Sequence, residues 1–268
     1  MIPRRVSRPE AALPRATVLA LVVAMVVACS DGTSTRAVPD TSGRLYTKAA
    51  APTQTVETGI SVQAEPTTGR PFGLYVPTNY TTATQWPLAV MLHGNGASGE
   101  GMVLDFDAFA EEAGVVVVTP NSRGPTWDRI LGTDGEYGPD VAHIDAVLKW
   151  AFDHIAVDPA RISLGGFSDG GTYAILIGLK NGDLITRVAG LTPCVDVPSD
   201  RVGMPEVFIS HGIHDQVLPI DDCSRFTVPR LRDRGYTVEF VEYDSDQGNG
   251  HFITEAVATQ AMNFMAGR

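Results

Sequence analysis

Short apolar runs and longer segments with helical spacing alternate along most of the chain. The run at 88–92 is typical of a buried strand, whereas Val141, Ile144 and Leu148 recur on one face of a helix predicted at 140–155. Further strands are predicted at 56–63, 71–77, 115–119, 161–167, 187–192, 206–211 and 236–243, and further helices at 101–113, 169–181, 221–234 and 252–266. Two leading strands followed by this alternation predict an α/β fold, with a mostly parallel twisted sheet and helices on both faces.

The first 55 residues do not follow this pattern. Arginines precede an apolar stretch at 16–28 that is short for a membrane span, so residues 1–28 are typical of a signal peptide. The stretch ends in Val26-Val27-Ala28-Cys29, which resembles a bacterial lipobox and predicts lipid modification of Cys29. A secreted, soluble protein that is cut slightly later is the alternative. Residues 29–55 are polar and aperiodic and predict a flexible tether before a domain at 56–268.

Composition and charge narrow the possible partners. A hydrophobic content of 44% with 19% charged residues is ordinary for a globular domain. The net charge is −11, and without residues 1–28 the balance becomes 16 basic against 30 acidic residues. Such an acidic surface argues against nucleic acid or another anionic polymer as the partner. We expect a monomer.

A candidate nucleophile lies where a predicted strand meets a predicted helix, in Gly166-Phe167-Ser168-Asp169-Gly170. A tight turn there would expose the Ser168 hydroxyl to a base, and glycines would leave room for the turn. Asp215 follows the strand at 206–211, and His251 lies in the loop before the last helix. Because parallel strands end at one edge of a sheet, we expect the three side chains to meet there as nucleophile, acid and base.

A glycine-rich turn, His93-Gly94-Asn95-Gly96, follows the strand at 88–92. The backbone N–H groups of Asn95, or of a neighbouring residue, and of Asp169 are predicted to form an oxyanion hole. Asp244 and Asp246 follow the last predicted strand and are alternatives to the acid named above.

Two other groups of residues have possible chemical roles. His211, His214 and Asp215 have a metal-like spacing, but an acid-bearing loop explains them, so we predict no metal and no cofactor. If Cys29 is an anchor, Cys194 and Cys223 remain as a pair, and an oxidising compartment favours a disulfide between them. Two separate thiols are the alternative.

From about Phe72 onward the chain resembles the α/β-hydrolase superfamily, particularly bacterial esterases related to polyhydroxybutyrate depolymerases and feruloyl esterases. The resemblance lies in 138–148, 157–162 and the serine turn, which are similar to the group's D-V-x-F-I-D … D-P-x-R-I … G-x-S-x-G-G run. His143 stands where that group has an aromatic residue. Residues 121–137 have no period and predict a substrate-side loop, and Trp127 within it resembles the group's tryptophan, which implies a contact with substrate.

These features together predict a serine carboxylic-ester hydrolase with a Ser-His-Asp triad and an acyl-enzyme intermediate. We expect it to be exported and anchored in the cell envelope through a lipid on Cys29. A peptidase of the prolyl-oligopeptidase type and a catalytically silent surface-binding protein on the same fold are the alternatives.

Overall fold

Strands and helices alternate along the parts of the chain that the computed structural model describes, residues 41–132, 136–245 and 248–268. The strands are β1 (Gly59–Ala64), β2 (Pro71–Val76), β3 (Trp86–Leu92), β4 (Val116–Pro120), β5 (Val157–Phe167), β6 (Arg187–Leu191), β7 (Glu206–Gly212) and β8 (Val238–Tyr243). The helices are α1 (Gly99–Ala113), α2 (Asp128–Leu131), α3 (Pro139–His154), α4 (Asp169–Lys180), α5 (Ser224–Asp233) and α6 (Glu255–Ala266).

The eight strands form one sheet in the order β1-β2-β4-β3-β5-β6-β7-β8. The β1–β2 and β2–β4 pairs are antiparallel, and the pairs from β4 to β8 are parallel. The C-terminal ends of β3, β5 and β6 are level, since Leu92 pairs with Gly166 and Phe167 with Leu191. The loops after these strands therefore leave the sheet at one edge, as the parallel pattern predicts.

Apolar side chains fill the space on both faces of the sheet. On β3, Val90 belongs to the cluster beneath α3, α4 and α5, whereas Ala89 and Met91 belong to the cluster beneath α1 and α6. Successive side chains of a strand point to opposite faces, so each central strand contributes to both clusters. The predicted fold class, a mostly parallel sheet with helices on both faces, is confirmed. Within the described ranges, no helix is both long and apolar enough to cross a bilayer.

The described part of the predicted tether is packed against the domain. Leu45 is buried, and its N–H donates to Asn181 Oδ1 at 2.8 Å. The N–H groups of Tyr46 and Thr47 both donate to Asp145 Oδ1 at 2.9 Å. The prediction of a flexible segment up to residue 55 is therefore wrong for this stretch, because extended backbone held by side-chain acceptors leaves no periodic pattern. Residues 1–28 and Cys29 lie outside the described residues.

Candidate active site

Ser168 is the single residue between β5 and α4, and its backbone has φ 55° and ψ −119°. A Cβ atom on Gly166 would lie 2.5 Å from the carbonyl of Gly170, and one on Gly170 would lie 2.1 Å from Leu92 O. Neither position has room for a side chain, so the tight turn requires both glycines. The serine therefore lies in the strand–turn–helix setting that the sequence predicts.

The structure brings together the three residues predicted as nucleophile, base and acid. His251 Nε2 is 2.9 Å from Ser168 Oγ, and His251 Nδ1 is 2.6 Å from Asp215 Oδ2. A carboxylate only accepts hydrogen bonds, so Nδ1–H donates to Asp215 and leaves Nε2 to accept from the serine hydroxyl. This is the tautomer that a base acting on Ser168 requires.

Backbone donors fix the orientation of the Asp215 carboxylate, which is buried. Its Oδ1 atom accepts from the N–H groups of Val217 at 2.8 Å and Leu218 at 2.9 Å. The other oxygen is left to face the imidazole of His251.

His211 supports this acid loop, a contact that was not predicted from the sequence. Its Nε2 lies 2.7 Å from Leu218 O and 3.4 Å from Asp215 Oδ2, and its Nδ1 lies 2.6 Å from Ser224 Oγ. Burial lowers the pKa of His211, so the ring is neutral at pH 7, donates from Nε2 and accepts at Nδ1. Its closeness to Asp215 in the sequence is the signal that could have indicated this contact.

The alternative acids do not reach His251 in the described residues. The Asp244 side chain is 70% exposed, and its nearest ionic contact is His214 Nε2 at 3.9 Å. Asp246 lies outside the described residues. The acid beside His251 is therefore Asp215.

Two further contacts hold the acid loop in place. Gln216 N–H donates to Asn249 O at 2.9 Å, which ties this loop to the loop that carries His251. The predicted disulfide between Cys194 and Cys223 is present, with a Cα–Cα distance of 4.4 Å. The disulfide joins the segment after β6 to the residue before α5 and so closes a loop of about 30 residues. In the chain-entropy account, a crosslink of this span raises the free energy of unfolding by about 3–4 kcal/mol.

Both predicted oxyanion donors belong to segments that adjoin Ser168. Asp169 opens α4, so its N–H has no acceptor within the helix. Asn95 belongs to residues 93–96, here called the glycine loop, and lines the same cavity as Ser168. The glycine loop is close to the serine, since a Cβ atom on Gly94 would lie 3.4 Å from Ser168 Cβ.

A cavity of about 730 Å³ opens beside Ser168 and His251, between α1 and the start of α6. Its wall is mainly apolar and includes Met102, Phe106, Phe109, Phe167, Phe252 and Ile253. Apart from His251, the charged or titratable residues in the wall are Asp105 and Glu255, both exposed. The sequence did not predict these residues, because those on α1 and α6 belong to ordinary amphipathic helices.

Trp127 does not line this cavity and is fully buried. Its Nε1–H donates to His93 O at 2.9 Å, and its ring stacks on Tyr173 with 5.3 Å between centroids. The prediction that Trp127 contacts substrate is therefore wrong for this structure. A tryptophan in an aperiodic segment resembles an exposed contact residue, whereas here its indole is part of the interior.

Curated relatives of the chain are esterases. Feruloyl esterase C of Emericella nidulans is 29% identical over 161 residues, which are 57% of this chain and 57% of the relative. A probable feruloyl esterase C of Aspergillus niger is 27% identical over 191 residues, 68% of each chain. No family model matches the chain. The first of these alignments thus spans little more than half of the relative's length.

Solved structures resemble the fold more completely. A thermostable esterase superposes with a TM-score of 0.62 at 19% identity, covering 77% of this chain and 61% of the other. A Staphylococcus aureus fluorophosphonate-binding serine hydrolase superposes with a TM-score of 0.60 at 15% identity, covering 77% and 97%. The sheet order and these structures show that the chain has the α/β-hydrolase fold, and in sequence it is similar to feruloyl esterases.

Proposed function

We propose that this protein is a serine carboxylic-ester hydrolase that acts through Ser168, His251 and Asp215 and an acyl-enzyme intermediate. The observation that carries the proposal is the hydrogen-bonded chain from Ser168 Oγ through His251 to Asp215, at the wall of an apolar cavity. The names of the relatives, which are feruloyl esterases, support ester chemistry rather than peptide cleavage or binding alone.

In the proposed acylation step, Ser168 Oγ attacks the ester carbonyl while His251 Nε2 takes the hydroxyl proton. The buried Asp215 carboxylate stabilises the resulting imidazolium and holds its ring in place. The N–H groups of Asn95 and Asp169 receive the negative oxygen of the tetrahedral intermediate. The imidazolium then protonates the leaving alcohol, and the C–O bond of the ester breaks.

Deacylation reverses these roles with water as the nucleophile. His251 takes a proton from the water, whose oxygen attacks the acyl-serine carbonyl. Collapse of the second tetrahedral intermediate returns the proton to Ser168 and releases the carboxylic acid. The apolar wall suits an ester with a bulky apolar group, since such cavities recognise ligands mainly by contact area.

Substitution of the three residues tests this mechanism. Ser168→Ala and His251→Ala should each lower kcat for p-nitrophenyl ester hydrolysis by about 10⁴-fold or more, with a smaller loss in Asp215→Asn. Asp244→Asn is the matched control, because this acid also follows a strand but is exposed and should leave kcat unchanged. Circular dichroism checks that each variant is folded.

A fluorophosphonate probe separates the proposal from its alternatives. The wild-type protein should be labelled at Ser168, whereas a silent binding protein would not react. A labelled protein that cleaves peptide amides faster than matched esters would be a peptidase. Near-normal ester turnover by folded Ser168→Ala would contradict the mechanism.

We also propose that the protein is exported and held at the membrane by a lipid on Cys29. The basic leader, the short apolar stretch and Val26-Val27-Ala28-Cys29 motivate this proposal. The disulfide between Cys194 and Cys223 supports export, because such bonds persist in oxidising compartments.

A further inference from the structure

Residues 121–128 form a segment, here called the support loop, that lies behind the glycine loop. Three hydrogen bonds join the two loops. They are Ser122 N–H to His93 Nε2 at 3.1 Å, Trp127 Nε1–H to His93 O at 2.9 Å and Gly96 N–H to Pro125 O at 2.7 Å. The position of the glycine loop therefore depends on the support loop.

These bonds also set the direction of a proposed oxyanion donor. Because His93 Nε2 accepts from Ser122, the ring proton is on Nδ1, which donates to Gly94 O at 2.8 Å. Burial lowers the pKa of His93, which keeps this neutral form at pH 7. In a trans peptide the carbonyl of one residue and the N–H of the next point in opposite directions. Holding Gly94 O on the His93 side therefore directs the Asn95 N–H away from it.

Trp127 connects the glycine loop to the helix that follows Ser168. Its ring lies 5.0 Å from the ring of His93 and 5.3 Å from that of Tyr173, which belongs to α4. The indole is fully buried, so its N–H bond to His93 O is not shared with solvent. A shift of this ring would move the glycine loop relative to the serine turn.

Two carboxylates fix the support loop itself. Asp128 N–H donates to Asp140 Oδ2 at 3.0 Å, and Asp140 N–H donates to Asp128 Oδ2 at 2.9 Å. Asp140 Oδ1 also accepts from Arg123 N–H at 2.8 Å and from Arg70 Nη1 at 2.7 Å. Tyr173 Oη donates to Asp128 Oδ1 at 2.6 Å. Asp140 is fully buried, so the loop is bonded to a rigid acceptor at the start of α3.

We propose that Trp127 and Asp140 are positioning residues that hold the glycine loop, and through it the Asn95 N–H, in the geometry that stabilises the oxyanion. Neither residue touches the cavity, so they act on the transition state and not on substrate binding. This inference rests on the proposed esterase function.

Trp127→Phe tests the inference, because phenylalanine keeps a ring between His93 and Tyr173 and removes only the N–H donor and part of the contact area. Loss of a whole oxyanion donor costs about 10²–10³ in kcat. A donor that is displaced rather than removed should cost less, and we expect kcat to fall about 10-fold while KM changes less than about twofold. Inhibition by phenylboronic acid, which forms a tetrahedral adduct on the serine, should weaken in proportion to kcat.

Trp86→Phe is the matched control. Its indole N–H also donates to a backbone carbonyl, Thr81 O at 3.0 Å, but it lies at the start of β3, far from the glycine loop. This variant should keep the wild-type kcat and inhibition constant even if its thermal stability falls. A similar loss of kcat in both variants would mean that the effect is general destabilisation, and it would overturn the inference.

Asp140→Asn provides a second variant that does not depend on the tryptophan. Asparagine keeps the shape of the side chain but removes the negative charge that accepts from Arg70, Arg123 and Asp128. We therefore expect the same pattern as for the tryptophan variant, with lower kcat, unchanged KM and weaker inhibition by the boronic acid. Unchanged kcat in a folded Trp127 or Asp140 variant overturns the inference, and so does a rise in KM alone. If the wild-type protein does not hydrolyse esters, or if folded Ser168→Ala does, the proposed esterase function itself is contradicted, and the positioning inference falls with it.

Discussion

His143 is a buried imidazole that the proposed mechanism does not use. It lies on α3, and neither ring nitrogen makes a hydrogen bond of normal geometry within the described residues. The Glu65 carboxylate lies 3.9 Å from Nδ1, and the charge of Arg70 also acts on the ring. Burial and the Arg70 charge lower the pKa of His143 to about 4, although Glu65 acts in the opposite direction. The folded protein therefore resists protonation of this ring.

This ring should make stability depend on pH. An unfolded histidine binds its proton near pH 6.5, so between about pH 6.5 and pH 4 the unfolded state holds more protons and the free energy of unfolding falls as pH falls. In His143→Phe this contribution is absent. From pH 7 to pH 4, wild type should lose about 3 kcal/mol more than the variant, measured by urea unfolding at each pH. Parallel curves for the two proteins would contradict this assignment.

The residues of the proposed triad could be predicted from the sequence, whereas their surroundings could not. Ser168, Asp215 and His251 follow predicted strands or precede a predicted helix, so the topology alone brings them to one edge. The role of Trp127 was predicted wrongly, because an irregular segment does not show which of its side chains is buried. The bonds made by Asp140 depend on φ and ψ in that segment, and no periodic pattern encodes them.

At the scale of elements, the eight strands and five of the six helices of the described ranges were predicted close to their observed bounds, except at the start of β5. The exception is α2, whose four residues are too few to show a helical period. Strand β5 begins at Val157, four residues before the prediction, because Val157 pairs with Trp86 across a register shift that no apolar run reveals. Strands β3, β4, β6 and β7 were easier to predict, since burial on both faces makes them nearly continuous apolar runs.

At the scale of the whole molecule, the domain has a large core that extends further toward the N-terminus than the predicted bound at residue 56. Leu45 is buried in that core, and Thr53 and Gln54 donate to Asp153 O. The packed domain therefore includes residues that the sequence pattern assigned to the tether at 29–55.

Cellular fractionation checks the lipid anchor. If Cys29 carries a diacylglyceryl group, wild-type protein should sediment with membranes and incorporate radioactive palmitate, because two acyl chains give stable anchoring. Cys29→Ser should remain in the soluble fraction, incorporate no palmitate and keep its esterase activity. A soluble wild-type protein whose N-terminus lies after residue 29, with no lipid mass, would contradict the proposal.

The two carboxylates in the cavity wall have a consequence for how a catalytic cycle would end. Under the proposed reaction, a neutral ester enters beside Asp105 and Glu255, and a carboxylic acid that ionises at neutral pH is left there. Like charges repel more strongly when little salt screens them. The negative charges of the wall would thus repel the product but not the neutral ester from which it formed. Inhibition by the carboxylate product should therefore become stronger as salt is added.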